Sequence, residues 1–293
     1  MKRPFVYLVR KRALGDVLWI EPVIRALAAQ NKKVIVYTTV NELFANYPLS
    51  NVVFKNKLSI FEKAFRAIES FCKTAFFFID LDNAYEEKPQ VHFLNAYQEK
   101  AALPLTREYP RLYLNSEEEK RPPLPEGKYA VLHLESMTAK NYRKVYGVDW
   151  EKVASHINQK GLTIYQVGNT PPPIPGVAHI KTSIREMIRL IRHSTFFIGL
   201  DSGPSHIAAS LGIPSLIFFG AVKPELRHFP ELFKGYFLQQ YCEFAGCYHD
   251  ITNSKYGPDC KLVGNEGIPK CSLHTTGYVT EHIDRLITEY SLI

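Results

Sequence analysis

Short apolar runs alternate along this chain with longer segments whose apolar residues recur at helical spacing. The run Phe196–Leu200 has no polar alternation, which is typical of a strand covered on both faces. Because such strands alternate with helices, the pattern predicts an α/β protein with parallel sheets. The predicted strands are 4–10, 32–39, 75–82, 129–135, 162–168, 196–200 and 215–219, and the predicted helices are 17–31, 92–103, 149–161, 183–194, 204–212 and 275–290.

The segment "NSEEEKRPPLPEGK" (115–128) interrupts this alternation, since it is charged, has three prolines and shows no apolar periodicity. We interpret residues 116–127 as a linker between an N-terminal domain (1–115) and a C-terminal domain (128–293). A chain of 293 residues with 46% hydrophobic content can build two cores. Two doubly wound halves leave a cleft between them, which is a favoured ligand site.

The net charge of +7 is uneven, because residues 1–114 hold 17 Lys and Arg against 11 Asp and Glu. An acidic lipid, a phosphorylated glycan or nucleic acid could bind there, although a basic solvated surface is an equally good explanation. We see no signal peptide in the first thirty residues and no apolar run of membrane-spanning length. We therefore expect a cytoplasmic protein, with peripheral contact to the inner membrane face left open.

The stretch "GLDSGPSHIAASLGIPSLIFFG" (199–220) predicts a strand, a small polar turn, a helix and the next strand. Pro204 suits the first helical turn. The backbone N–H groups of Ser202 and Gly203 would then face an anion such as phosphate. Asp201 could accept hydrogen bonds from sugar hydroxyls or shape the turn. His206, one turn on, could donate to phosphate or be a packed structural residue.

Three segments resemble glycosyltransferase family 9, the heptosyltransferase-like enzymes. They are "RALGDVLWIEPVIRALA" (12–28), "VLHLESMTAKNYRKV" (131–145) and the stretch 199–220. The resemblance implies the GT-B architecture, in which two Rossmann-like domains face a central cleft. It also implies transfer of a sugar from a nucleotide-sugar to an acceptor, with inversion and without a catalytic metal. The "DLD" at 80–82 has the letters of a metal-binding motif, but a solvated strand end explains it better.

The resemblance also implies roles for individual residues. Asp16 would be the general base, although a carboxylate in the first turn of a helix is also favoured by the helix dipole. Arg12 and Gly15 would contact the acceptor beside it. Lys140 would neutralise the diphosphate, with Arg143 and Lys144 as rivals and an ordinary solvated lysine as the alternative. Gly168 would contact the nucleotide.

The predicted function is therefore an inverting, metal-independent glycosyltransferase. Its partners would be an ADP- or UDP-linked sugar donor and an anionic acceptor, such as a lipopolysaccharide-type glycan. An epimerase or hydrolase on the same architecture is a second possibility, because a fold does not determine the chemistry. The alternatives from another class are a catalytically silent nucleotide-sugar-binding or nucleic-acid-binding module and a nucleic-acid-directed transferase, but nucleic acid is not favoured.

Four of the five cysteines fall within a Cys-rich insert (242–271), with the spacing C-x4-C-x12-C-x10-C. We rank a structural zinc site made by Cys242, Cys247, Cys260 and Cys271 first, although the usual C-x2-C knuckles are absent. Two disulfides rank second, because a reducing compartment disfavours them, and free thiols rank third. Cys72 lies in an amphipathic segment and is predicted to be a core residue.

Overall fold

Two separate parallel sheets organise the chain in a computed structural model that describes residues 5–72, 77–122, 127–136, 140–250 and 257–293. The first sheet has four strands in the order β3-β2-β1-β4 and the second has six in the order β10-β9-β8-β5-β6-β7. The strands are Phe5–Val9 (β1), Lys33–Tyr37 (β2), Val52–Lys55 (β3), Phe78–Asp80 (β4), Tyr129–His133 (β5), Thr163–Val167 (β6), Ala178–Ile180 (β7), Phe196–Leu200 (β8), Ser215–Phe218 (β9) and Gly235–Leu238 (β10).

Helices connect the strands of each sheet, as parallel pairing requires. They are Leu14–Leu18 (α1), Glu21–Ala28 (α2), Ile60–Phe71 (α3), Phe93–Lys100 (α4), Trp150–Gln159 (α5), Ile184–Arg192 (α6), Gly203–Ser210 (α7) and Thr276–Glu289 (α8). All seven predicted strands and all six predicted helix regions are confirmed, with shifted ends. The sequence analysis missed β3, α3, β7 and β10. The predicted helix 17–31 is two helices, because Pro22 stands in the first turn of a second one.

Capping side chains explain where several helices begin. Asp149 accepts a hydrogen bond from the backbone N–H of Lys152 at the start of α5. Ser183 and Glu186 form a reciprocal capping box at the start of α6. Strand β8 is buried along its whole length, as its continuous apolar run predicts.

A single hydrophobic cluster joins the two halves of the molecule. Its buried members come from the first sheet and its helices and also from α6 and α7 of the second half, such as Ile188 and Ile207. The predicted linker takes part in this contact. Its Glu118 carboxylate accepts from Asn46 Nδ2 at 2.6 Å and from Arg185 Nη2 at 2.5 Å, one residue from each half. Residues 123–126 of the predicted linker lie outside the described residues.

The closest contact between the halves is the crossing of α1 over α7, which two glycines permit. A Cβ on Gly15 would lie 2.5 Å from His206 Cδ2, and a Cβ on Gly203 would lie 2.7 Å from Leu14 Cβ. Both distances are too short for real side chains, so the helices can approach this closely only with glycine at both positions. Gly15 therefore packs against the second half, and the structure gives it no surface for the acceptor contact that the resemblance implied.

We expect Gly15→Ala to destabilise the protein by about 1–3 kcal/mol, because overpacking a close contact forces atoms apart. Gly277→Ala is the matched control. Gly277 lies in α8, and a Cβ at this position would meet nothing within 4 Å. The control should be neutral or gain about 0.5–1 kcal/mol. Denaturant unfolding of both variants measures the difference. Equal stabilities would show that the crossing is not tightly packed.

Candidate active site

Asp16 lies in α1, directly after the carboxyl end of β1. The preceding Ala13 has a φ of 70° and a ψ of 110°, a backbone conformation that costs a non-glycine residue about 1–3 kcal/mol. This turn brings Asp16 back over the end of its own strand, where Arg10 Nη2 donates to Asp16 Oδ2 at 2.5 Å and Tyr85 OH lies 3.5 Å from the same oxygen. The predicted acceptor residue Arg12 is exposed on the same loop.

Arg10 is the centre of an acidic cluster that the sequence analysis missed. Its guanidinium is buried, lies 3.8 Å from Glu86 Oε1 and 4.0 Å from Asp82 Oδ1, and also faces Tyr97. Burial alone would lower the pKa of Arg10, but the charges of Tyr97, Asp16, Tyr85 and Glu86 raise it. The carboxylates of the "DLD" segment are paired here with cations. They are not the solvated strand end that the sequence analysis expected.

At the start of α7 fewer backbone N–H groups are free than the sequence predicted. The N–H of Ser202 donates to Ser205 Oγ at 3.1 Å, and the N–H groups of Ser205 and His206 donate to the carbonyl of Ser202. Pro204 has none. Within the described chain this leaves the N–H of Gly203 for an anion. The backbone N–H of Ser202, which was predicted to contact phosphate, therefore already donates to a side chain of its own helix.

His206 is buried between the two halves of the molecule. Trp19 Nε1–H donates to His206 Nδ1 at 3.1 Å, so the ring proton sits on Nε2, which lies 3.5 Å from Asp201 Oδ1. Burial, together with the charge of Arg227, lowers the pKa of His206 to about 3. His206 is thus a neutral side chain whose Nδ1 accepts from Trp19 and whose Nε2 lies near the Asp201 carboxylate, and the structure supports the packed interpretation over the predicted donation to phosphate.

Arg143, and not Lys140, reaches the turn at Asp201. Arg143 Nη1 donates to the backbone carbonyl of Asp201 at 2.6 Å and lies 3.5 Å from its carboxylate. Lys140 pairs with Asp259 of the Cys-rich insert. Arg143 also lines a pocket at the carboxyl ends of β8 and β9, together with Asp201 and the backbone of 218–222. Parallel sheets bind ligands at this edge.

The turn after β6 is filled by Glu135, which the sequence analysis did not single out. Its carboxylate accepts from the backbone N–H of Asn169 at 2.6 Å and of Thr170 at 2.8 Å. Gly168 has a φ of 149°, and a Cβ there would lie 2.0 Å from Glu135 Oε2. The absence of a side chain at Gly168 therefore leaves room for the Glu135 carboxylate. In the structure this carboxylate lies where the nucleotide was predicted to contact Gly168.

Arg227 contacts residues of both halves of the molecule. It is buried, and its guanidinium lies over the rings of Tyr85 (4.9 Å) and Tyr248 (5.5 Å). Burial alone would lower the pKa of Arg227, but Tyr85, Asp201, Tyr248 and Asp16 raise it. Tyr85 OH in turn lies 3.5 Å from Asp16 Oδ2. Asp201 lies 3.5 Å from His206, which packs against Gly15 beside Asp16, so both carboxylates border the same contact between the halves. We call the space beside these two carboxylates the groove. No local pattern in the sequence marks Arg227, because its neighbours come from distant segments.

One trio among the described residues, Asp201, His206 and His228, places potential ligand atoms within 4.8 Å of one another. Two imidazoles and a carboxylate are a donor set that transition metals accept. The protonation does not fit, however, because the Nε2 of His206 carries its proton. The charge of Arg227 also lowers the pKa of both histidines, so positive charge is already present. The trio is a packed cluster in which the rings of His206 and His228 stack with centroids 4.6 Å apart, and this protonation does not suit a cation.

The cysteines of the insert converge in space but do not form a ready ligand set. All five cysteines are free thiols, so the two disulfides that ranked second are absent among the described residues. Burial raises the pKa of Cys271 to about 11, and the charges of Cys242, Cys247 and Cys260 add to the effect. Over the described ranges, no three of the four sulfurs lie within 4.8 Å of one another. Cys72 is exposed, so its prediction as a core residue was wrong.

Three comparisons with known proteins bear on this site. Residues 178–230 match the model of glycosyltransferase family 9 (heptosyltransferase). Lipopolysaccharide heptosyltransferase 3 of Escherichia coli K12 is 49% identical over 49 residues, which are 17% of this chain and 14% of that protein. The autotransporter heptosyltransferase BAHTCr of Citrobacter rodentium is 32% identical over 90 residues, which are 27% of this chain and 22% of that protein. These matches thus span less than a quarter of either relative.

Solved structures extend the likeness to the whole chain at the level of the fold. The iron-containing dodecameric glycosyltransferase TibC of enterotoxigenic E. coli H10407 superposes with a TM-score of 0.76 at 18% identity, covering 98% of this chain and 77% of TibC. E. coli ADP-heptose lipopolysaccharide heptosyltransferase II gives a TM-score of 0.67 at 13% identity, covering 98% of this chain and 99% of that one. The chain therefore has the GT-B fold and carries, in residues 178–230, the sequence signature of glycosyltransferase family 9.

Proposed function

We propose that this protein is an inverting glycosyltransferase that moves a sugar from a nucleotide-sugar to an anionic acceptor without a catalytic metal. The observation that carries the proposal is the packing of Gly15, the neighbour of Asp16, against His206, whose Nε2 lies 3.5 Å from Asp201 Oδ1, so that one carboxylate of each half borders the groove. A solved TibC structure contains ADP-D-β-D-heptose, which supports an ADP-linked donor. The family signature at 178–230 supports the same class of reaction.

Asp16 would take the proton of the acceptor hydroxyl. The hydrogen bonds that Asp16 receives from Arg10 and Tyr85 both go to Oδ2, which leaves Oδ1 for the acceptor. As the proton moves to Oδ1, the acceptor oxygen attacks the anomeric carbon from the side opposite the donor diphosphate. The bond between the anomeric carbon and the diphosphate breaks, the nucleoside diphosphate leaves with the electron pair, and the anomeric centre is inverted.

The second half would hold the donor. Arg143 and the N–H of Gly203 lie at the turn after β8, where they would stabilise the negative charge that develops on the leaving diphosphate. Asp201 would bind sugar hydroxyls, since a carboxylate repels phosphate. Histidine contributes no charge here, because burial lowers the pKa of His206 to about 3. His206 would instead position Asp201 through its Nε2.

The first test is Asp16→Asn, which keeps the shape of the side chain and removes the base. We expect kcat to fall by about 10²–10⁴-fold, because this is the usual contribution of a positioned base. Binding of ADP, followed by thermal shift, should be unchanged. Glu86→Gln is the matched control, since Glu86 faces the same arginine. It should retain most of the activity.

Donors for this assay are ADP- and UDP-linked sugars. If thermal shift detects nucleotide binding but no donor is turned over by the wild type, the protein is a binding module and the proposal is wrong. A substantial residual kcat in Asp16→Asn would show that another group is the base.

The second test separates Arg143 from Lys140 as the diphosphate partner. Arg143→Gln should lower kcat/KM for the donor by about 10- to 100-fold, because a hydrogen bond to a charged group contributes about 1.5–3 kcal/mol. Lys140→Gln should have a smaller effect, since Lys140 pairs with Asp259. Steady-state kinetics at saturating acceptor measures both. A larger loss in Lys140→Gln would restore the role that the resemblance implied for that lysine.

We also propose that the Cys-rich insert binds a structural metal ion, zinc or iron. Burial, together with the charges of Cys242 and Cys260, raises the pKa of Cys247 and of Cys271, and a thiolate-binding cation would remove the repulsion between these sulfurs. TibC, with a similar fold, is described as iron-containing. The ion would crosslink the insert and take no part in the transfer reaction.

Elemental analysis of the purified protein tests the metal site. We expect about one zinc or iron ion per chain, as one four-thiolate set would hold, and a lower Tm after chelation. Cys271→Ser should lose the metal. Cys72→Ser is the matched control, because that thiol is exposed and directly follows α3, outside the Cys-rich insert. A metal-free protein whose five thiols all titrate under denaturing conditions would leave free thiols as the correct interpretation.

A further inference from the structure

Helix α3 turns its charged residues towards the sheet. Glu62 accepts hydrogen bonds from Tyr7 OH and from Lys55 Nζ, both at 2.7 Å. One turn later, Arg66 Nε donates to Asp80 Oδ2 at 3.0 Å. These two residues are spaced i, i+4, so they lie on one face of the helix.

Glu69 continues this inward face at i+7. It is buried, and its carboxylate accepts from the backbone N–H groups of Phe77 at 2.7 Å and Phe78 at 2.9 Å. The side of α3 that faces the protein is therefore polar and held by ion pairs and hydrogen bonds. This is the reverse of an ordinary surface helix, which buries its apolar face.

The opposite face of α3 is an apolar stripe that is open to solvent. Phe61 is 84% exposed and Phe71 is 90% exposed. The full stripe consists of Ile60, Phe61, Phe65, Ile68 and Phe71. Single exposed apolar residues are common on protein surfaces, but five large ones along three turns of one helix mark an interaction site.

The charges beside the stripe indicate what covers it. Both glutamates of α3 point towards the sheet, whereas Lys57 and Lys63 are exposed beside the stripe. Phenylalanine and isoleucine flanked by lysine are typical of helices that lie in the headgroup region of anionic bilayers. The excess of basic residues in 1–114 gives the surrounding surface the same sign.

A second copy of the chain fits this face less well. In a two-fold contact the lysines beside the stripe would approach those of the partner copy, with like charges opposed. Five side chains on one 12-residue helix are also few compared with the 20–30 residues that a stable interface needs on each side.

We propose that α3 docks the N-terminal half of the protein on the surface of an anionic phospholipid bilayer. The stripe would enter the headgroup region, with Lys57 and Lys63 close to lipid phosphates. Among the described residues no helix is long and apolar enough to cross a membrane, so the contact is peripheral. The docking does not depend on the proposed reaction.

If both proposals hold, the docked helix is linked to the reactive groove. Arg66 also lies 3.6 Å from Asp82, which accepts from the backbone N–H of Lys11 at 3.0 Å and lies 4.0 Å from Arg10, the partner of Asp16. Two ion pairs through Asp82 therefore connect Arg66 of the docked helix to Arg10. This arrangement fits an acceptor presented at the bilayer surface.

Co-sedimentation with large unilamellar vesicles tests the docking. Vesicles made of equal parts phosphatidylcholine and phosphatidylglycerol should bind the wild type, and pure phosphatidylcholine vesicles should bind it more weakly. The variant Phe61→Ser/Phe65→Ser/Ile68→Ser should bind at least about 100-fold more weakly, since each apolar side chain contributes to the transfer into the interface. The variant Lys57→Glu/Lys63→Glu should lose the preference for anionic vesicles.

The control is Leu105→Ser/Leu232→Ser, which removes exposed apolar residues elsewhere and should bind like the wild type. Circular dichroism and Tm confirm that each variant is folded, and light scattering reports its oligomeric state. Equal binding by the wild type and the triple variant, or no binding by either, would overturn the proposal. So would a wild-type oligomer that the triple variant dissociates, because the stripe would then be a protein interface. Asp16→Asn should bind vesicles like the wild type, which separates this result from the fate of the proposed reaction.

Discussion

The close crossing of α1 over α7 is the contact on which the candidate site depends. Gly15 and Gly203 remove the side chains that would hold these helices apart, and Trp19 then reaches His206 across the contact. Asp16 follows Gly15 directly, so a glycine that touches the second half fixes where this carboxylate can lie. The apolar cluster shared by both halves supports the same arrangement. Packing between the halves and placement of the reactive groups are therefore one structural feature.

Charge in the groove is carried by arginines and carboxylates, while the buried histidines are neutral. Burial lowers the pKa of His206 to about 3 and of His133 to about 4, so neither changes its charge near neutral pH. Arg10 holds Asp16, and Arg227 lies over Tyr85, whose hydroxyl lies 3.5 Å from Asp16 Oδ2. An arginine does not lose its proton in a protein, so these positive charges are permanent. The histidines contribute shape and hydrogen-bond direction to this site.

The sequence predicted seven of the ten strands and all the helices except α3, because burial on two faces and helical periodicity leave direct traces in the order of residues. It also marked the turn at 201–203 and Asp16. It did not distinguish Arg143 from Lys140, because both lie in the same loop and only the path of its backbone determines which of the two side chains reaches Asp201. Gly15 was assigned to the acceptor, since a motif shows that a glycine is needed and not which neighbour requires it. Arg227 left no signal, because its partners are distant in the chain.

Helix α3 shows why periodicity alone could not orient this segment. Its spacing identifies an apolar face and a polar face, but not which one meets the sheet, and Cys72 was placed in the core on the ordinary assumption. The reason for the inversion lies in β4, which is the edge strand of the first sheet. An edge strand presents backbone N–H groups that need partners, and the carboxylate of Glu69 accepts from the N–H of Phe78 at the start of β4 and from that of Phe77 just before it. Arg66 pairs with Asp80 at the other end of the strand. Because these contacts direct the charged face of α3 towards the sheet, its phenylalanines point away from the sheet. The apolar stripe on the surface therefore follows from the way α3 covers the edge strand β4.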